Sequence, residues 1–186
     1  MMAAVITLAV ALVGGSLWSR EPPQPGVSAP KKNNARRPLA EKESRHWVET
    51  AQAAKTVLSS AATVTMIADR EADLYPLWAS IPEANIHVLG RIFHDRKLPG
   101  GGSLYTASAP WPVLGRRSIA IRERPDRPAR VAELEVRAGT VTIPRPQEPR
   151  KSNLPKQVTL TLLEVSEPAP PAGAEPLLWR LLTSHA

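Results

Sequence analysis

Proline sets the first limit on what this chain can fold into. Twenty prolines stand against ten glycines in 186 residues, and they gather at positions 22–30, 144–155 and 168–176. Proline removes a backbone donor and clashes with the preceding helical turn, so each cluster marks a connector and a mostly helical protein is excluded. Beyond Leu104 helical periodicity is absent. Alternating apolar runs there predict strands over 117–123, 131–138, 140–144, 158–165 and 178–183. Ala138-Gly139, between two such runs, predicts a tight hairpin.

The first hundred residues read differently. Val5 to Val13 are apolar on both alternating faces, the pattern of a strand buried on both sides. The run lacks a basic segment before it and an Ala-x-Ala cleavage site, and it is too short to span a bilayer as a helix. An export signal over 3–18 is the competing reading. Trp47, Ala51, Ala54 and Leu58 recur on one helical face and predict a helix over 39–59. A strand over 64–68 follows, then a short helix containing Leu77 and Trp78 with Pro76 in its first turn, then a strand over 86–93. Gly100-Gly101-Gly102 makes a flexible turn; no Gly-Lys-Ser/Thr follows, so it is not a phosphate loop.

Composition narrows the chemistry. There is no cysteine, which excludes disulfides and thiolate zinc sites. The four histidines lack metal-motif spacing. A net charge of +7 and a pI near 10.2 permit polyanionic partners through phosphate neutralisation. The densest basic run, Lys31-Lys32-Asn33-Asn34-Ala35-Arg36-Arg37, reads as a solvated linker.

The sharpest motif is Asp69-Arg70-Glu71-Ala72-Asp73-Leu74-Tyr75, placed directly after the 64–68 strand. Open α/β sheets put their chemistry at the carboxyl ends of strands, and hard divalent metals need oxygen ligands held on rigid elements. The same charges would also serve simply to cap a helix. For Arg70, Glu71 and Asp73 that role, with local salt bridges, is the expected one. Tyr75 is expected to pack with its hydroxyl at the surface.

The heptapeptide resembles the second-aspartate motif of DDE transposases of the insertion-sequence-four type, the Tn-five group. Three collinear stretches agree: Arg37 to Ser44 leading into Trp47; Arg127-Pro128-Ala129-Arg130 running into Ala132 to Gly139; and Glu175 to Ser184. The resemblance covers roughly residues 36–186 and extends more weakly over 5–20, where it implies a core strand ending near Trp18. It implies an α/β protein with a partial ribonuclease-H-like core, a mixed sheet with helices, interrupted by a β-rich insertion. The core would take residues 1–98, the insertion 99–176, and the last strand, 177–186, would return to the core.

The function implied is cut-and-paste DNA transposition, in which metal-dependent nicking, hairpin formation and strand transfer occur at transposon ends. Asp69 matches the second of three carboxylates that hold two Mg²⁺ or Mn²⁺ ions, making it the catalytic and metal-ligating residue. Arg91 matches a basic residue near transposon-end phosphates, and Trp179 a tryptophan that stacks on a flipped base. Arg116, Arg117, Arg122, Arg124, Arg127 and Arg130 would track DNA backbone along the insertion. Family members work as dimers in the bacterial cytoplasm, without a membrane. The chain departs from the pattern in two places. No aspartate precedes Asp69, and no Tyr-x2-Arg-x3-Glu-x6-Lys signature is present. The expectation is therefore a truncated fragment, inactive alone and without productive metal binding. The alternative is a small basic DNA-binding or regulatory module with no enzymatic role.

Overall fold

A computed structural model of the protein describes residues 44–125, 127–147 and 153–186. The expected strand near residues 5–18 and the basic run at 31–37 lie outside the described residues. The architecture is α/β: helix α1 (Arg45–Val57), strand β1 (Val64–Ala68), a single 3₁₀ turn (Arg70–Ala72), helix α2 (Tyr75–Ser80), then strands β2 (Ile86–Arg91), β3 (Gly115–Ile121), β4 (Arg130–Pro144), β5 (Gln157–Ser166) and β6 (Leu178–Thr183). All six strands form one mixed sheet in the order β1-β2-β6-β5-β4-β3. The β1–β2 pair is parallel and every other pair antiparallel. Strand β6 thus lies between β2 and β5, joining the parallel pair to the antiparallel meander. Among the described residues no helix is long and apolar enough to cross a membrane.

Alternation along the strands decides which side is dry. Ile86 and Val88 of β2, Leu160 and Leu162 of β5, and Leu182 of β6 are all buried on one face. Register places them side by side: Gly90 opposite Leu182, Leu162 opposite Leu182, and Val141 opposite Leu160. Ala51 of α1 and Leu77 and Trp78 of α2 join this cluster, so both helices cover that face. A Cβ on Gly90 would stand 2.7 Å from the Trp78 ring, so only glycine lets α2 settle this close to β2.

Several expectations are corrected. Ala138-Gly139 is not a hairpin; β4 runs unbroken through it, pairing Ala138 with Leu163 and Gly139 with Leu162. Gly139 is there because Trp111 packs on it: a Cβ would meet the indole at 2.7 Å. The helix expected over 39–59 begins at Arg45 within the described residues and ends at Val57. The strand expected to reach Phe93 stops at Arg91, because the Phe93 and His94 amides turn to the Asp73 carboxylate at 2.8 and 2.9 Å. The short helix expected around Leu77 and Trp78 is α2, with Pro76 in its first turn as expected, and a separate 3₁₀ turn precedes it. The Tyr75 hydroxyl is not at the surface. Tyr75 is buried, and its hydroxyl donates to the Pro155 carbonyl at 2.9 Å.

Candidate functional site: an arginine-lined cleft

The ends of β1 and β2, the β3–β4 turn and the start of β6 meet around one open cleft of about 720 Å³. Register explains how Arg91 and Trp179 come to share it. Arg91 is cross-strand neighbour to Leu181, and Trp179 lies two residues from Leu181, so both project on the sheet face opposite the core. Arg70, from the 3₁₀ turn after β1, reaches the same cleft.

The β-rich segment supplies the other wall. Arg124 and Arg127 are locked across the β3–β4 turn by two backbone hydrogen bonds, at 2.8 and 3.0 Å. This sets two guanidinium groups at the cleft rim. The connection from β5 to β6 closes the remaining side, turning at Gly173 with φ +78. Arg130 and Glu167 hold its base. Arg130 Nη2 donates to Glu167 Oε2 at 2.8 Å, Nη1 bonds Oε1, and the Leu177 amide donates to Oε2 at 3.1 Å.

Charge within the cleft is unevenly balanced. The Arg130 hydrogen bond holds the Glu167 carboxyl below its ordinary value, against the opposing effect of burial. Arg130 is therefore a structural cation, although it lines the cleft. By contrast Arg70, Arg91, Arg124 and Arg127 enter no ion pair among the described residues. The Arg127 Nε, like that of Arg130, is also buried without a hydrogen-bond partner among the described residues. A buried, unsatisfied guanidinium donor is costly unless an acceptor arrives. Phosphate oxygens are such acceptors, and arginine presents its donors in a fork that matches them. No protein-family model matches the sequence.

Five of the eight residues expected to contact DNA, namely Arg91, Arg124, Arg127, Arg130 and Trp179, line the cleft. The other three do not. Arg116 sits on the edge strand β3, where its guanidinium donates to Glu135 at 2.9 and 3.2 Å. Arg117 and Arg122 are exposed, away from the cleft lining. Sequence reasoning misses Arg70 as a cleft residue. Its one signal is adjacency to Asp69, and only the tertiary fold brings it to Arg91.

Asp69 follows β1, exposed and in extended backbone (φ −89, ψ −177), and its carbonyl accepts from the Ala72 amide at 2.9 Å. Among the described residues, no three carboxylate or imidazole side chains converge to hold a metal. Asp73, four residues on, has a different fate from the local charge pairing expected of it. It is buried and bound by Arg96, 23 residues away.

A second, shallower hollow of about 230 Å³ adjoins the first, and Arg70, Arg91 and Leu178 line both. Phe93, Tyr105 and Arg180 help complete it. The Arg180 guanidinium lies 4.5 Å over the Tyr105 ring centroid and also donates to Glu164 at 2.8 Å.

Proposed function

We propose that the protein is part of the catalytic core of a cut-and-paste DNA transposase, and that the arginine-lined cleft holds DNA at the transposon end. One observation carries the reading. Four guanidinium groups free of ion pairs among the described residues, from Arg70, Arg91, Arg124 and Arg127, converge with Trp179 on a single cleft. Phosphate contacts from such groups position nucleic acid, and an indole beside them offers a stacking surface for a base. The mixed α/β sheet, with Asp69 emerging from the carboxyl end of β1, is compatible with a ribonuclease-H-like core. In this reading Asp69 would be one of the carboxylates that hold a divalent cation in an intact enzyme; its two companions have no match in this sequence, so this chain alone would not cleave DNA. The setting would be the bacterial cytoplasm and the partner DNA, which intact members of that family bind as dimers.

The test is binding of a fluorescent DNA oligonucleotide by the full chain at several salt concentrations. Arg127→Ala and Arg91→Ala should each lower affinity and reduce the logarithmic salt slope by about 0.7–0.9 for each phosphate no longer neutralised. Arg116→Ala, outside the cleft, should change affinity far less. Equal effects at Arg116 and Arg127 would point to diffuse surface charge and rule the cleft out as the DNA site.

A further inference from the structure

We propose that Phe93 is a second base-stacking platform, in the hollow adjoining the main cleft, and that the joined surface binds an unpaired stretch of DNA. The inference rests on the reading of the main cleft as a DNA site and adds to it the state of the DNA.

Phe93 is 57% exposed. A lone exposed apolar ring is ordinary on a protein surface, so exposure by itself says little. The backbone on both sides of the ring is fixed. The Phe93 amide donates to Asp73 Oδ2 at 2.8 Å, and the Tyr105 hydroxyl donates to the Phe93 carbonyl at 2.7 Å. Asp73 is itself immobilised by Arg96. His94 meets the Phe93 ring edge-on, with centroids 5.2 Å apart and planes at 77°. A ring anchored so firmly yet left open is organised in advance for a planar partner.

Its surroundings name that partner. Arg70 and Arg91 line the hollow and continue into the cleft that contains Trp179. Trp179 and Arg180, adjacent on β6, project to opposite sheet faces. The combined surface therefore bends around the start of β6, past the exposed Leu178. Aromatic platforms separated by free guanidinium groups are how proteins hold single strands, with bases on the rings and phosphates on the cations. A duplex cannot use both platforms, because its bases are already stacked on each other and it cannot bend around a strand end over so short a path.

The experiment measures binding of the full chain to three labelled DNA probes: a single-stranded oligonucleotide, the same oligonucleotide with abasic sites, and the matching duplex. The wild type should prefer the intact single strand. Phe93→Ala should weaken that binding roughly 5- to 100-fold and leave duplex binding unchanged. Phe93→Tyr, which keeps a flat ring, should restore it. The abasic probe should bind weakly to the wild type and lose nothing further in Phe93→Ala. Binding of the single strand that is equal in wild type and Phe93→Ala would overturn the second platform while leaving the cleft as a DNA site. Failure of the wild type to bind any of the three probes would overturn both.

Discussion

The Asp73 carboxylate and the Arg96 guanidinium form a buried ion pair that ties the turn after β1 to the turn after β2. Arg96 Nη1 donates to Asp73 Oδ2 at 2.9 Å, and Nη2 lies 2.7 Å from Oδ1. The Arg96 side chain is 14% exposed and that of Asp73 only 1%. Because Asp73 also accepts from the Phe93 and His94 amides, one carboxylate fixes the ends of two parallel strands, and with them Arg70 and Arg91. Removing Arg96 would leave a buried charge unpaired. Arg96→Ala should lower unfolding free energy by about 3–5 kcal/mol, read as a fall in the urea midpoint.

Acid should weaken the fold through three carboxylates. Burial alone pushes Asp73 up, but the Arg96 hydrogen bond and charge and the His94 and Phe93 amides more than reverse this. Glu135 is held down by its Arg116 hydrogen bond, and Glu167 by its Arg130 hydrogen bond. In each case the folded value lies below the unfolded one, with ordinary values of 3.8 for Asp and 4.5 for Glu. The unfolded chain therefore takes up protons first as the pH drops. The stabilisation is fully present above the ordinary carboxylate range and is lost as the pH falls below it. Urea midpoints should be flat from pH 7 to about pH 5 and decline steadily below about pH 4.5. A midpoint that stays level down to about pH 3 would mean these pairs contribute nothing.

Gly139 faces the Trp111 ring so closely that even a methyl group must displace it. Gly139→Ala should destabilise by about 1–3 kcal/mol, with a change in tryptophan emission as the indole moves. In the Trp111→Ala background the same substitution should be far milder. Equal effects in both backgrounds would show that the ring is not what excludes the side chain.

Tyr75→Phe removes only the hydrogen bond to the Pro155 carbonyl. The expected loss is about 1 kcal/mol, measured by chemical denaturation. Burial already pushes the Tyr75 hydroxyl above its ordinary value, in spite of the nearby Arg145 charge. An alkaline absorbance titration should accordingly show one of the two tyrosines ionising late, and Tyr75→Phe should abolish that late step.

Strand patterning is legible in the sequence wherever local alternation agrees with the final packing. The strands expected over 64–68 and 178–183 coincide with β1 and β6; in β1, Val64, Met66 and Ala68 alternate with exposed positions. Around Gly139 it is not legible. There the buried positions pass from Ala132 and Leu134 on one sheet face to Val141 and Ile143 on the other, and a change of phase in a single strand reads like two strands and a turn. Arg91 and Trp179 stand out through resemblance, but their meeting depends on β6 entering next to β2. Asp73 gives no local sign of burial, since its partner Arg96 lies beyond α2 and β2. Arg116 looks equivalent to Arg124 in the sequence; only the cross-strand neighbour Glu135 separates them.

The place of β6 in the sheet has a kinetic consequence. Residues 178–183 are the last strand in chain order but touch both β2 and β5 in the interior, so they act as the keystone of an arch. Until they insert, β1–β2 and β3–β4–β5 are two small sheets, each with an unpaired inner edge, and the loops that must close between them are long. Pairing of this kind slows folding and leaves such edges open to association meanwhile. During synthesis the six described strands cannot join into one sheet until residues 178–183 have cleared the ribosome. A slow refolding phase whose rate falls when β6 is weakened at Leu182, its one wholly buried side chain, would be the trace of that wait.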